Sequence, residues 1–397
     1  MRVTIVTGFF LPVPAIRGGA TERSWYGLAK ALAAAGHEVT FISRSWLGLK
    51  PHESESGVRH IRLRGFSHSR HLIINLARDF IWGIRVARAL PGSDIVVCNT
   101  VTLPAWIGRL RPSVGKVAAM IGRLPKGQVG FYRDVARIYV PSSFVYEELG
   151  AAWAKARARV IGYPIDCALL ARSGARGAGV LHIGYVGRIH PEKGVALLIR
   201  AALLLAERPG MPDWKLTIAG PESVGDGGGG AEWVGLLKRE AAALGQRVEW
   251  LGPEFDAERL AKIYGAMDIF CYPSLAEGGE TFGVAVAEAM AAGCAVVVSR
   301  LRCFGDLVCD GESGLVFDHA AADPERLLAD CMGRLAADPA LRKKLADKGQ
   351  QKTRRFDQPE VARHVIADLS LLAGAPPSHG AIGSRLSSGW RFRNGAI

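Results

Sequence analysis

The sequence predicts an α/β protein built from two parallel-sheet domains. Three observations carry that expectation. At 397 residues the chain exceeds one ordinary core and suits two domains, each able to bury a substantial apolar interior. Two separate series of short β-like runs alternate with helical stretches, the pattern of parallel α/β sheets. Hydrophobic residues make up 49% and charged residues 22%, which excludes a disordered or fibrous chain.

The first series runs through Val3 to Thr7, a helical stretch from Glu22 to Ala35, then Val39 to Ile42, Ile95 to Cys98 and Ile138 to Val140. Between His71 and Leu90, the residues Ile73, Leu76, Ala77, Phe80 and Ile84 recur at helical spacing, with Arg78, Arg85 and Arg88 mostly on the other side. An ordinary helix with its apolar face on the core is expected there, and a membrane-surface helix is the alternative. The second series runs through His182 to Val186, Leu216 to Ala219, Val248 to Leu251, Ile269 to Tyr272 and Ala295 to Ser299. Between the two lies the small, polar run from Arg172 to Gly179, a flexible connection. The boundary falls within residues 164 to 180, giving a first domain 1–165 and a second domain 166–356. A helix within 357–373 is expected to pack back on the first domain. The tail 374–397, rich in Gly, Ser and Pro, is expected to be disordered, with Trp390, Arg391 and Arg393 as docking candidates. The segment Gly225 to Gly230 lacks the Lys-Ser/Thr of a P-loop and the spacing of a dinucleotide fingerprint, so it reads as a mobile loop.

Seven scattered cysteines form no CxxC pair, which fits reduced thiols in a cytosolic protein and no metal site. The opening MRVTIVTGFF reads as a strand rather than a leader. No uninterrupted apolar run approaches the roughly 20 residues of a membrane span. Charge is uneven: up to Tyr163 there are 23 Lys and Arg against 9 Asp and Glu, and beyond it 27 against 28. The basic first half suggests an anionic partner such as a phosphate-bearing acceptor or an acidic membrane leaflet, with a solubilising surface as the alternative. No nucleic acid is expected.

The most informative stretch is Glu277 to Gly293, EGGETFGVAVAEAMAAG, which follows the strand from Ile269. A helix starting near Phe282 would present free N–H groups and its positive end to an anion. Glu280 precedes that helix and Glu288 lies inside it among Val284, Val286 and Met290, where an unpaired carboxylate would be costly. Two carboxylates flanking an anion site suit a nucleotide sugar, with hydroxyls at both ends and a diphosphate between. In the stretch Gly184 to Gly194, GYVGRIHPEKG, Arg188 and Lys193 follow the C-terminal end of a strand, where α/β folds bind ligands. Gly18 and Gly19 stand between the first strand and the first helix, where backbone amides approach a phosphate or sugar closely. His37 is a turn residue at that helix's exit.

These motifs resemble family 4 glycosyltransferases, whose mark is Glu-x7-Glu. Supporting stretches are Leu216 to Pro221, Gly252 to Glu254 and Asp310 to Phe317, so the likeness reaches to about residue 370, stronger in the second half. The resemblance implies a GT-B fold, two facing Rossmann-like domains with an inter-domain cleft, and retaining transfer of a sugar from a nucleotide-sugar donor. The acceptor would be a polysaccharide, a lipid-linked glycan or another hydroxyl. It implies catalytic roles for Arg188, Lys193 and Glu280, with donor binding by Gly18, Gly19, Gly187, Arg188, Lys193, Glu280, Thr281, Phe282, Gly283 and Glu288. It implies no metal and no cofactor beyond the nucleotide-sugar co-substrate, and a cytoplasmic enzyme peripheral at the inner membrane face. The chain departs from the family where many members carry a histidine after a first-domain strand. Val117 to Arg123 has none, and the position falls near Ile121 or Gly122. In the front-side mechanism proposed for the family, the departing phosphate oxygen takes the acceptor proton, which tolerates the loss. Arg123 and Lys126 are candidates for holding an acidic acceptor. A non-catalytic nucleotide-sugar-binding protein and another GT-B enzyme such as an epimerase remain alternatives. An NAD-dependent oxidoreductase is disfavoured because neither half has Gly-x-Gly-x-x-Gly after its first strand.

Overall fold

The computed structural model describes residues 1–69, 71–172 and 179–374. Most of the connection after Arg172, and the tail with Trp390, Arg391 and Arg393, lie outside the described residues. The chain forms two compact units: Met1–Pro164 together with the return from Gln358, and Ile165–Asp357.

Among its described residues unit 1 holds eight strands: β1 (Arg2–Val6), β2 (Glu38–Arg44), β3 (His52–Glu55), β4 (Val58–Leu63), β5 (Ile95–Cys98), β6 (Lys116–Met120), β7 (Arg137–Val140) and β8 (Ala158–Val160). Their order is β3-β4-β2-β1-β5-β6-β7-β8, parallel except for the β3–β4 hairpin. The central strands are continuous apolar runs because both faces are covered. Helix α1 (Ala20–Ala34) and helix α2 (Leu72–Ala89) follow β1 and β4, and His37 lies in the turn after α1. β4 escaped the sequence reading because its buried positions include His60 and Arg62, the latter paired with Glu53 of β3 at 2.6 Å.

α2 corrects an expectation. Its buried residues are Asp79, Trp82, Gly83 and Val86, whereas Leu72, Ile73, Ile74, Leu76, Phe80 and Ile81 are exposed. The side expected to meet the core faces out. Two polar anchors select the buried face. The Trp82 indole donates to the Thr7 carbonyl at 3.0 Å, and the Asp79 carboxylate accepts from the Thr102 amide and hydroxyl at 2.7 and 2.6 Å.

Among its described residues unit 2 holds six parallel strands: β9 (Leu181–Val186), β10 (Trp214–Ala219), β11 (Val248–Gly252), β12 (Ile269–Tyr272), β13 (Ala295–Ser299) and β14 (Leu315–Phe317), in the order β11-β10-β9-β12-β13-β14. Helix α3 (Val195–Ala206) follows β9, and helix α4 (Val284–Ala291) lies between β12 and β13. Cys271 and Cys294 are fully buried here, as Cys98 is in unit 1. The chain then returns to unit 1 as helix α5 (Gln358–Ala373). It packs on α1, and its Asp368 accepts from Arg137 Nε and the Tyr139 hydroxyl, each at 2.8 Å.

Each sheet reverses its strand order once, between β1 and β5 in unit 1 and between β9 and β12 in unit 2. Crossovers leaving in opposite directions open a crevice at the C-terminal strand ends, where open α/β sheets bind ligands.

Candidate active site

The reversal in unit 2 sets the site. β9 ends at Val186 and delivers Gly187 and Arg188; β12 ends at Tyr272 and delivers the 273–283 segment. Neighbouring strands thus feed both motifs to one sheet edge, although they lie far apart in sequence. The turn after β9 (Pro191–Lys193) ends at Gly194, which has φ 70°, and a Cβ there would stand 1.9 Å from the Pro273 carbonyl. Only glycine lets the two segments meet so closely.

Lys193 and Glu280 form the centre. The Lys193 ammonium lies 2.6 Å from Glu280 Oε2, and their side chains are only 5% and 12% exposed. The same oxygen accepts from the Tyr272 hydroxyl at 3.2 Å and from Ser274 Oγ at 3.4 Å. Burial and the neighbouring Glu280 carboxylate push the Tyr272 phenol well above its usual range, so it stays a donor. Tyr185 stacks on Tyr272 with ring centres 5.7 Å apart and gives its hydroxyl to the Arg188 carbonyl.

Arg188 donates to the Gly227 carbonyl at 2.8 Å and to Glu192 Oε1 at 2.7 Å. Burial opposes the Glu192 carboxylate, but Arg188, Lys193 and His190 outweigh it and hold its pKa below the usual carboxylate value. The glycine-rich segment expected to be a mobile loop is a built turn. Ser223 caps Val224–Asp226, and the amides of Gly228, Gly229 and Gly230 donate to Ser223, Ile189 and Glu222 at 2.7–2.9 Å.

α4 begins at Val284, two residues beyond the expected start, with Gly283 as its left-handed cap. A Cβ on Gly283 would press 2.6 Å from the Phe304 ring. Thr281 is buried, and Phe282 packs edge-on against Phe356 at 5.0 Å, so its ring belongs to the core. Glu288 is 8% exposed and accepts from the buried Tyr264 hydroxyl at 3.0 Å. The helix interior therefore carries a buried, hydrogen-bonded carboxylate, as its apolar neighbours required. Tyr272, Ser274, Tyr264, Glu192 and Gly227 escaped sequence reasoning. Of these, Glu192 and Gly227 lay inside stretches already singled out, and Tyr272 ended a strand already read.

The other residues named from sequence lie in unit 1. Gly18 and Gly19 precede α1, and Gly19 leaves room for the Glu22 carboxyl. Burial raises that carboxyl to about 7, against its own backbone amide and Arg123. Arg123 follows β6, in the segment where the family histidine is missing, and also faces His68. Lys126 lies in the same loop. Among the described residues, no group of three or more His, Cys, Asp or Glu gathers to hold a metal ion.

The chain matches two family profiles, "Glycosyltransferase Family 4" over residues 18–169 and "Glycosyl transferases group 1" over 175–352. It is 30% identical to the phosphatidyl-myo-inositol mannosyltransferase of Mycolicibacterium smegmatis, over 94% of this chain and 95% of that protein. It is 29% identical to the Mycobacterium tuberculosis enzyme of the same name, over 70% of this chain and 66% of that one. The match to the D-inositol 3-phosphate glycosyltransferase of Corynebacterium urealyticum is 35% identical over 46% of this chain, and spans only 41% of that protein. In structure the chain is similar to sucrose-phosphate synthase from Thermosynechococcus elongatus, with TM-score 0.76 and 23% identity over 95% of this chain and all of that one. It is also similar to Anabaena HepE in complex with UDP and glucose, with TM-score 0.69 and 17% identity over 94% of this chain and all of that one. The fold is that of the GT-B glycosyltransferases. The chain belongs to glycosyltransferase family 4.

Proposed function

We propose that this chain transfers a sugar, with retention of configuration, from a nucleotide-sugar donor to a lipid-linked or glycan hydroxyl. The observation that carries the reading is the convergence of Arg188, Lys193 and Glu280 at the β9/β12 reversal, beside the N-terminus of α4, which no side chain caps. The donor diphosphate lies against that terminus, with Arg188 and Lys193 meeting its charge. Glu280, aimed by Tyr272 and Ser274, takes hydroxyls of the transferred sugar. Glu288, aimed by Tyr264, takes the ribose hydroxyls. The acceptor oxygen bonds to the anomeric carbon as the bond to phosphate breaks, and the acceptor proton passes to the departing phosphate oxygen. Two cations and a helix terminus stabilise that leaving group, so the reaction needs no metal and no further cofactor. In unit 1, Gly18 and Gly19 offer close backbone approach to a phosphate or sugar, and Arg123 and Lys126 hold an acidic acceptor.

Contact with an anionic membrane from the cytoplasmic side is part of the same proposal. Six exposed apolar residues on α2 and the excess of arginine in unit 1 support it. Among the described residues no helix is long and apolar enough to cross a membrane, so the contact proposed is peripheral.

The test is a calorimetric screen of UDP-, GDP-, ADP- and dTDP-sugars on the wild type and on Glu288→Ala, with the product anomer read by NMR. One donor should bind selectively, more weakly in the variant, and give a product of retained configuration. Failure of every donor to bind ends the transferase reading; an inverted product ends the retaining one.

A further inference from the structure

We propose that Glu192 is a positioning residue for Arg188, and that the backbone carbonyl of Gly227 shares this task. The inference rests on the donor reading above, in which Arg188 meets the diphosphate.

The Arg188 side chain is 40% exposed, and a long side chain on a surface samples many rotamers unless something holds it. Two acceptors on separate chain segments hold it here. Nη1 donates to Gly227 O at 2.8 Å, and Nη2 donates to Glu192 Oε1 at 2.7 Å. Bonds to both terminal nitrogens fix the plane of the guanidinium, and the remaining N–H groups of its fork stay available to a second anion.

Both acceptors are themselves fixed. The Glu192 carbonyl accepts from the Leu275 amide at 2.8 Å and from Ser274 Oγ at 3.4 Å. This ties the residue to the segment that carries Glu280. Gly227 closes the capped turn after β10, and its amide donates to the Val224 carbonyl at 3.1 Å. It has φ 86°, and a Cβ there would stand 2.9 Å from Arg188 Cδ. The glycine therefore gives the arginine stem room, and its carbonyl orients the arginine head.

Stability does not account for the arrangement. Glu192 is 36% exposed, and an ion pair that open to solvent adds little to folding. Its effect is geometric, and a misaimed guanidinium loses contact with the group it recognises.

The experiment uses the full-length chain and measures calorimetric affinities for UDP, GDP, ADP and dTDP, each against its monophosphate. The ratio of monophosphate to diphosphate dissociation constants reports the contact to the terminal phosphate. Glu192→Ala should cut that ratio about tenfold, the scale of one charge-assisted hydrogen bond. Glu192→Gln, which keeps an acceptor, should cut it less. Gly227→Ala, a separate substitution that pushes on the arginine stem, should act like Glu192→Ala and carries the test if that variant does not fold. With Arg188→Ala already present, Glu192→Ala should change the ratio no further. Equal losses for mono- and diphosphates, or an undiminished effect in the Arg188→Ala background, would overturn the assignment. A wild type that binds no nucleoside diphosphate removes the donor reading itself, and this inference with it.

Discussion

Lys193 and Glu280 hold each other where water barely reaches, so the pair links stability to the proposed chemistry. Removing one partner leaves the other buried and uncompensated, which costs about 3–5 kcal/mol, whereas an apolar pair of similar volume is often tolerated. Glu280→Ala should therefore lower the melting temperature markedly, and the double variant Lys193→Met with Glu280→Leu should recover much of that loss without recovering transfer. Recovery of turnover alongside the fold would remove both residues from the reaction. His60 carries a different liability. It is fully buried beside Tyr26 and stacked on Phe41, and burial followed by Arg62 lowers its pKa from 6.5 to about 4. Its neutral form is the folded form, so the unfolded chain takes up the proton first as pH falls. Stability from this site is complete above about pH 6.5 and declines toward pH 4. A His60→Phe variant should gain on the wild type across that interval, by on the order of 2–3 kcal/mol at its acid end. Parallel denaturation midpoints from pH 7 to pH 4 would refute the assignment. The site's charged residues were legible because glycines and strand ends frame them. Their hydroxyl partners were not. Tyr264 reaches Glu288 from a separate helix, and Tyr272 reaches Glu280 only because the segment after β12 folds back.

Among the elements, nine strands were read from the sequence as short β-like runs, while β3, β4, β6, β8 and β14 were not. β4 is the instructive case: buried His60 and Arg62 break the apolar pattern, and the Glu53 that compensates Arg62 lies on the neighbouring strand. α2 fails for another reason. A periodic pattern defines two faces without saying which turns inward, and here Trp82 and Asp79 decide, through bonds to residues that no local pattern reveals. The outward apolar ridge at the start of α2 invites a direct measurement. Ile73→Asp combined with Leu76→Asp should leave the helix folded, since both positions are exposed. It should reduce co-sedimentation with phosphatidylglycerol vesicles by tenfold or more, given about 1.5–3 kcal/mol for each fully buried aliphatic side chain. Nucleotide affinity should not change. Undiminished vesicle binding would take the helix out of the proposed membrane contact.

At the scale of the whole molecule, the two sheets repeat one device while the two halves differ in charge. Each sheet opens at a strand-order reversal, and this could be inferred only in outline because strand order depends on pairings between distant segments. The charge difference needs no structure: 23 basic against 9 acidic residues up to Tyr163, near balance afterwards. The proposed partners differ as well, an anionic surface for unit 1 and a single diphosphate for unit 2. Salt separates these two interactions because it screens exposed charges over roughly 10 Å at 0.1 M and about 3 Å at 1 M, while enclosed charges are screened much less. In α2, Arg88 is exposed and Arg78 and Arg85 are half-buried, whereas Lys193 is almost enclosed. Raising the salt from 0.1 M to 0.5 M should therefore weaken binding to anionic vesicles by an order of magnitude or more, at about 1 kcal/mol for each basic residue near the surface. Over the same range, affinity for the selected nucleoside diphosphate should fall severalfold at most. Equal salt sensitivity in the two titrations would mean that the nucleotide is held by exposed charge, and would move its site away from the Lys193–Glu280 pair. A vesicle interaction indifferent to salt would instead leave the basic half with a solubilising role and reduce the membrane contact to the apolar ridge of α2.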